Sequence, residues 1–319
     1  MNKHKVSDYI SLYSLYIILF VLLLFFSLSN RFFLTPTNII NVIRQVTPYG
    51  ICAVGMTAVI LTGGIDLSTG SVLGLAAALA ARLMLAGVHP ALATLISLIT
   101  GIACGLLNGF FINKMGMPPL ITTLGTMIAL RGVASQLTGG VGISGFTDSY
   151  RVMGQGYVGI VPIPVIIMTV AFALGYILLE MTKFGRYVYG IGGNEEVVRL
   201  SGINVHKIKY QVYAINGFLS ALAGLVLLSR VMSVQALTGQ GYEMNIITAV
   251  MLGGVSIKGG EGKISRVIIG VLIMGILQNG MAMMGINPFY QLIIQGIVLL
   301  LAVSYDKLML VSRNKLASI

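Results

Sequence analysis

The chain has 319 residues, of which 56% are hydrophobic and 9% are charged, and its mean hydropathy is +0.94. A soluble fold of this length cannot cover its surface with 20 basic and 9 acidic residues, so most of that surface must face lipid. The net charge of +11 therefore indicates basic loops beside anionic lipid headgroups and excludes the nucleic-acid partner that it would suggest in a soluble protein.

Ten apolar stretches are long enough, at about 20 residues each, to cross a bilayer as helices. The first follows Lys3 and Lys5 and lacks a small-residue cleavage site, which favours an uncleaved helix over a secretion signal. The stretches are 11–29, 46–62, 68–87, 90–112, 117–137, 162–181, 210–230, 243–257, 264–285 and 288–306. The short stretch 243–257 could be broken or re-entrant. The sequence predicts one all-α transmembrane domain, a polytopic bundle over residues 1–319.

The basic residues predict the orientation of the spans, because cytoplasmic loops are enriched in Lys and Arg. With the N-terminus inside and ten alternating spans, six arginines fall outside or near outer helix ends: Arg31, Arg44, Arg82, Arg131, Arg151 and Arg230. The other fourteen of the 20 basic residues fall inside: Lys3, Lys5, Lys114, Lys183, Arg186, Arg199, Lys207, Lys209, Lys258, Lys263, Arg266, Lys307, Arg313 and Lys315. This count predicts cytoplasmic N- and C-termini.

Two long polar loops join the spans. The outer loop, 138–161, is rich in glycine and is either a plain connector or a surface for an extracellular partner. The inner loop, 182–209, carries much of the charge and contains "NEEVVRLSG". In it, Asn194 is a candidate N-cap, Glu195 and Glu196 follow in a first helical turn, and Gly202 fits a C-cap.

The segment "GGIDLSTG" at 63–70 lies between two apolar stretches, and "GGVSIKGG" at 253–260 echoes it. The echo is either a pseudo-repeat, as in many transporters, or chance in a chain with 40 glycines. Asp66 in the first segment has two interpretations. With Ser68 it caps the helix that starts near residue 68, which is the favoured one, or it is part of a pathway or gate.

The sequence has no pattern typical of an enzyme. His4, His89 and His206 are far apart, Cys52 and Cys104 lie in apolar runs, and no metal-ligand or nucleophile spacing occurs. The stretch "KGGEGKIS" departs from the phosphate-binding pattern, because Ile257 replaces its first glycine and Ile264 its Ser or Thr. We therefore expect no catalytic residue, no metal site and no cofactor in this chain.

Ion-driven transport usually requires carboxylates within the membrane. Of the nine acids only Asp66 is expected to be close to buried, with Glu180 and Glu243 at span ends. Arg131 is the one basic residue well inside a span, and it either faces the pathway or snorkels to the outer surface, the second being slightly favoured. The polar residues of the spans either form interhelical hydrogen bonds or line a path for a hydroxylated solute. The candidate pathway or gate residues are Asp66, Ser68, Asn108, Arg131, Asn216, Gln278 and Asn279.

Five blocks of sequence, in order between residues 45 and 306, make the chain resemble one transporter family. They are "LTGGIDLSTGSVLGLAAALAA", "GLLNGFFINKMGMPPLITTLGTM", "GRYVYGIGGNEEVVRLSGINVHKIK", "GYEMNIITAVMLGGVSIKGGEGKI" and the tail "GVLIMGILQNGMAMMGINPFYQLIIQGIVLLLAV". With these blocks the chain resembles the ribose-type permeases of bacterial ABC importers, whose cargoes include ribose, xylose and autoinducer-2.

The resemblance implies a permease homodimer or heterodimer in the bacterial inner membrane, a cytoplasmic ABC ATPase that carries ATP and Mg²⁺, and an extracytoplasmic sugar-binding protein. It also implies that the inner loop contacts the ATPase through Asn194, Glu195, Glu196, Arg199, Gly202 and Lys207. The family element reads Glu-Ala-Ala, whereas this chain has Glu195-Glu196-Val197, which leaves the individual contacts undetermined.

Three alternatives differ in cargo or class. A permease of the same architecture could carry autoinducer-2 or branched-chain amino acids. A stand-alone secondary transporter or channel would work without an ATPase, but its usual buried carboxylates are sparse. A membrane enzyme has no candidate site in the sequence.

Overall fold

The computed structural model describes residues 3–317, with side chains for Tyr13 and residues 15–304. Four two-residue strands lie in the loops: β1 Ile143–Ser144, β2 Tyr157–Val158, β3 Val161–Pro162 and β4 Ser233–Val234. The rest is mainly helical: α1 Lys3–Ser29, α2 Pro36–Leu61, α3 Thr69–Leu85, α4 Pro90–Asn113, α5 Pro119–Thr138, α6 Arg151–Gln155, α7 Ile163–Tyr176, α8 Lys183–Leu200, α9 Val205–Val231, α10 Tyr242–Leu252, α11 Ile264–Met283 and α12 Pro288–Ala317.

Each of the ten predicted apolar stretches falls on a helix, while α6 and α8 lie in the two long loops. Five helical segments in the described residues are long and apolar enough to cross a membrane: Pro90–Asn113, Pro119–Thr138, Ile163–Met181, Val205–Val231 and Ile264–Met283. The third joins α7 to a π-helical turn at Ile177–Met181. The prediction of an all-helical membrane protein is confirmed.

Helix α2 begins ten residues before the predicted stretch 46–62, so Pro48 lies inside the helix and not at its start. Polar residues in its first turns hid this part from an apolar scan. Proline has no N–H and leaves the carbonyl of the residue four positions earlier without its helical donor. Here that carbonyl, of Arg44, accepts hydrogen bonds from the Thr47 hydroxyl at 2.8 Å and the Arg230 guanidinium at 3.0 Å.

Helix α9 lies at the centre of the bundle and packs against α2, α3 and α4. In its most apolar window 78% of the residues are buried, against 17% in α5. Glycines allow this packing, because a Cβ on Gly105 would overlap the backbone of Tyr213 and one on Gly217 would overlap the carbonyl of Gly101. Small residues let membrane helices approach closely where the apolar solvent gives little driving force.

The loops gather into two groups at opposite ends of the helices. At one end, which we call the glycine end (Leu61–Gly64, Tyr189–Gly193 and Gly259–Gly262), the Gly260 amide donates to the Leu61 carbonyl at 2.9 Å and the Tyr189 hydroxyl to the Gly262 carbonyl at 3.0 Å. We call the other end the strand end (Asn30, Ile143–Ser144, Ser233–Val234 and Met283). There β1 pairs antiparallel with β4, and the side-chain amide of Asn30 donates to the Met283 carbonyl at 3.0 Å. Segments predicted on the same side of the membrane therefore contact one another.

The two echoing segments meet at the glycine end, and each begins with the same turn. After α2 the Gly63 amide bonds the Ile60 carbonyl and Gly64 bonds Val59; after α10, Gly254 bonds Met251 and Val255 bonds Val250. Gly63 and Gly254 have φ of 77° and 82°, which favours glycine at the end of a helix. Helices α3, α5, α8 and α11 end with the same turn. Because the turn also occurs outside the two echoing segments, it does not support a pseudo-repeat.

The glycine packing predicts a large difference between two substitutions of the same kind. Gly105→Val should lower the free energy of unfolding by about 1–3 kcal/mol, because the new side chain meets α9 backbone. Gly125→Val on α5 is the matched control, since a Cβ there has no neighbour within 4 Å. A thiol-reactive dye can report unfolding on heating, because Cys52 and Cys104 are both buried and free. Equal melting temperatures for the two variants would contradict the proposed packing.

Candidate functional site

Asp66 lies in the connection 62–68 between α2 and α3, and it is only 1% exposed. Its Oδ1 accepts hydrogen bonds from the Ser68 amide at 2.9 Å and from the Ser68 hydroxyl at 2.6 Å. Helix α3 begins at Thr69, and the Ser68 side chain makes no capping bond to it. Asp66 thus accepts the amide of Ser68, the residue before α3, and not an amide within the helix. The predicted capping role of Ser68 is wrong, because its side chain makes no bond to the first turn of α3.

Two asparagines from other helices complete this cluster, which we call the Asp66 junction (Asp66, Ser68, Asn108 and Asn216). Asn108 of α4 donates to the Ser68 hydroxyl at 2.9 Å and to Asp66 Oδ1 at 3.4 Å. Asn216 of α9 donates to Asp66 Oδ2 at 2.9 Å and to the Thr69 hydroxyl at 3.1 Å. The structure therefore brings four predicted site residues together, although they are up to 150 positions apart in the sequence.

The carboxylate of the Asp66 junction is held by neutral donors. One backbone amide, one hydroxyl and two side-chain amides donate to it. A buried carboxylate is costly unless hydrogen bonds replace its lost hydration. Asn216 can approach because Gly55 of α2 has no side chain; a Cβ there would lie 2.6 Å from Asn216 Oδ1. The junction joins α3, α4 and α9, and all four of its residues are buried.

Arg131 forms an ion pair with a residue of another helix. Its Nη2 lies 3.2 Å from Glu243 Oε1, so the pair connects α5 with the first turn of α10. The Arg131 side chain is 25% exposed and that of Glu243 only 6%. Gly70 of α3 makes room for the pair, because a Cβ on it would overlap Glu243 Oε2.

Glu243 is one of two buried polar residues that sequence reasoning missed, and the expectation that only Asp66 is buried among the acids is wrong. The apolar scan placed Glu243 at an outer span end. In the structure the turn at 235–241 folds inward, with the Ser135 hydroxyl 3.4 Å from the Ala236 carbonyl, so α10 starts inside the bundle. The available signal was the shortness of the stretch 243–257, which already indicated a broken or re-entrant helix.

Gln278 and Asn279 lie away from the Asp66 junction, on α11. The Asn279 side chain exchanges two hydrogen bonds with that of Asn38 on α2, at 3.0 and 3.2 Å. Both asparagines are buried, which is the interhelical bonding that the sequence left open as one interpretation. Asn38 was missed because it precedes the apolar part of α2.

The predicted inner loop contains a short, separate helical segment. Asn194 leaves the helical conformation with φ −160° and ψ 100°, and its side chain accepts the Val197 amide at 3.1 Å, so it acts as the expected N-cap. Gly202, at φ 80°, bonds the Arg199 carbonyl and ends the segment. We call residues 194–202 the exposed segment.

The charges of the exposed segment are partly paired with each other. Glu196 bonds Arg199 at 2.7 Å, and Glu195 bonds Lys209 of α9 at 2.7 Å. Lys207 is exposed near the start of α9, with its amide bonded to the Asn204 side chain. Two apolar side chains project from the segment, Val197 at 57% exposure and Leu200 at 77%.

The Asp66 junction predicts that two substitutions compensate each other. Asp66→Asn alone should cost about 1–3 kcal/mol of stability, because its amide would face the amide of Asn216 and leave donors unpaired. Asn216→Asp alone places two carboxylates together and should also destabilise. The double variant Asp66→Asn with Asn216→Asp restores one carboxylate and one amide and should recover at least half of the loss. A double-mutant cycle by thermal unfolding measures this, and additive losses would contradict the pairing.

Comparison with known proteins places the chain in a family. Residues 38–303 match the family model described as "Branched-chain amino acid transport system / permease component". The ribose import permease RbsC of Bacillus subtilis is 46% identical over 91% of this chain and 90% of its own length, and that of Escherichia coli K12 is 42% identical over 92% of each.

The galactose/methyl galactoside import permease MglC of Escherichia coli K12 is 35% identical over 97% of both chains. No solved structure matches the chain significantly. The matches cover nearly the whole length and every helix from α2 to α11. The chain therefore belongs to the permease family of bacterial ABC importers, as a multi-pass inner-membrane protein of the ribose-type branch.

Proposed function

We propose that this permease forms the membrane pathway for ribose or a closely similar monosaccharide. The cargo is inferred from the sequence identities of the relatives. Proteins named for ribose import are 42–46% identical to this chain, against 35% for the permeases named for galactoside and allose. The relatives named here are sugar permeases, which does not favour a branched-chain amino acid cargo. ATP hydrolysis belongs to a separate ATPase subunit and not to this chain.

The membrane arrangement of the proposal has ten spans, with both termini and the glycine end in the cytoplasm. Two independent observations support it. Fourteen of the 20 basic residues fall on that side, as cytoplasmic loops require. The contacts within the glycine end and within the strand end join only loops that the ten-span arrangement puts on one side.

The exposed segment 194–202 is the proposed contact with the ATPase. Exposed Val197 and Leu200 are apolar side chains in a loop outside the bundle, where burial against a partner is favourable by the hydrophobic effect. The segment is held firmly, because Asn194 and Gly202 fix its ends and Glu195 attaches it to α9 through Lys209. A displacement of the segment would therefore be passed to α9.

The proposed mechanism needs no chemistry within this chain. ATP binding closes the ATPase pair, which moves the exposed segments of a permease homodimer or heterodimer and changes the side on which the pathway is open. The sugar-loaded binding protein docks at the strand end and favours a different state from ATP. The Asp66 junction keeps α3, α4 and α9 together during this change, and the Arg131–Glu243 pair connects α5 to α10.

The function is tested by reconstitution in liposomes. With its cognate ATPase and binding protein, the permease should accumulate ribose only when ATP is present on the ATPase side. The permease alone should give no ribose uptake under a proton or sodium gradient. Uptake by the permease alone would identify a secondary transporter and contradict the proposal.

The ATPase contact is tested by changing the exposed apolar side chains. Val197→Asp with Leu200→Asp should reduce copurification of the ATPase with the permease at least ten-fold, since two charges replace apolar contacts. Leu237→Asp is the matched control, because Leu237 is also an exposed leucine, at 60%, but lies at the strand end. Normal ATPase recovery with the double variant would remove the contact from the exposed segment.

A further inference from the structure

A surface groove follows the first half of α9. Two adjoining cavities of about 410 and 400 Å³ share Gln211 and Ala214 as lining residues and so form one groove with α9 as its floor. Leu106 of α4 forms one wall, and Leu178 and Phe184 form the other. We call this the α9 groove.

The chemistry of the α9 groove changes in layers along the helix. Asn204, His206 and Lys207 line its mouth at the glycine end, Tyr210 and Gln211 follow one turn further in, and the innermost part is lined by Ala214 and Ile215. At a rise of 1.5 Å per residue, the distance from Lys207 to Ile215 is about 12 Å. One leaflet of the hydrocarbon core is about 15 Å thick, so the groove fits within a single leaflet.

The charge at the mouth of the groove is available to a ligand. Lys207 is exposed and has no ion-pair partner in the part of the chain with described side chains, whereas Lys209 is paired with Glu195 at 2.7 Å. Gln211 is exposed on a helix that is long and apolar enough to span the membrane. An exposed amide at that depth is unfavourable in hydrocarbon unless it finds a hydrogen-bond partner.

We infer that the α9 groove binds one anionic phospholipid. Its phosphate pairs with Lys207, its ester carbonyl accepts a hydrogen bond from Gln211, and one acyl chain lies over Ala214 between the apolar walls. The order of phosphate, ester and acyl chain matches the order of cation, amide and apolar side chains along α9. The inference goes beyond the transport role. In the proposed orientation the groove opens to the cytoplasmic leaflet, where anionic lipids attract basic groups. Only this choice of leaflet rests on the proposed function.

The test uses the purified full-length permease, delipidated in detergent and titrated with phosphatidylglycerol or phosphatidylcholine of identical acyl chains. Native mass spectrometry counts the bound lipids. We expect preferential binding of phosphatidylglycerol, and a loss of about five-fold in its affinity in Lys207→Gln, with phosphatidylcholine unaffected. Lys258→Gln is the matched control, because it removes another exposed lysine at the same end, and it should change neither affinity.

A second variant tests the acyl-chain site separately from the charge. Ala214→Phe fills the floor of the groove and should reduce binding of both lipids; should it fail to fold, Lys207→Gln decides alone. The inference would be overturned if the permease bound the two lipids with equal affinity and Lys207→Gln changed neither affinity. So would a Lys207→Gln variant that loses the ATPase but retains phosphatidylglycerol, since the lysine would then serve a protein contact. Ribose uptake in liposomes is measured separately, so failure of the lipid site leaves the transport proposal independently testable.

Discussion

Lipid offers no hydrogen bonds to the peptide groups or carboxylates that a broken helix exposes, and the arrangement of this bundle follows from meeting that need internally. The break between α2 and α3 leaves the Asp66 carboxylate in the interior, where the Ser68 amide and side-chain donors from α4 and α9 replace water. The Arg44 carbonyl, which Pro48 leaves without its helical donor, is bonded in the same way by Thr47 and Arg230. Each irregularity thereby becomes a specific contact between distant parts of the chain.

These contacts also explain where the chain uses glycine inside helices. Gly55 admits Asn216, Gly70 admits Glu243, and Gly105 admits the backbone of α9. Glycine lowers helix stability by about 1 kcal/mol relative to alanine, so its presence at these positions is balanced by the packing and hydrogen bonds that it permits. Helix α5 has glycines without such neighbours and is the least buried of the five spanning segments.

The sequence was sufficient for the fold class, the approximate positions of ten helices and the family. These properties depend on runs of apolar residues and on blocks of motif that can be read locally. It also located Asn194 and Gly202 as helix ends, because capping acts within four residues. The partners of Asp66 were among the predicted residues, but their meeting was not predictable, since periodicity does not define which helix faces are neighbours. Glu243 was missed because its burial depends on a turn that folds inward.

The burial of Glu243 weakens the sequence argument against ion-driven transport, but the assignment to the ABC importers stands. The scarcity of buried carboxylates counted against ion-driven transport, and two such groups, where one was expected, are buried among the residues with described side chains. Both are occupied by internal partners, Asp66 by neutral donors and Glu243 by Arg131. The assignment to the ABC importers rests on similarity over nearly the whole chain, which the number of carboxylates does not affect.

Helix α9 begins three residues after the exposed segment and reaches the strand end without interruption. Asn216 fixes it to the Asp66 junction about 16 Å from Val205 and about 22 Å from Val231, at 1.5 Å per residue. A rigid rod held at that point behaves as a lever with unequal arms. Movement of the end beside the exposed segment in one direction then carries the opposite end the other way by a distance roughly one third larger. In the proposed membrane arrangement, a small displacement at the ATPase would therefore be both inverted and enlarged on the far side of the membrane.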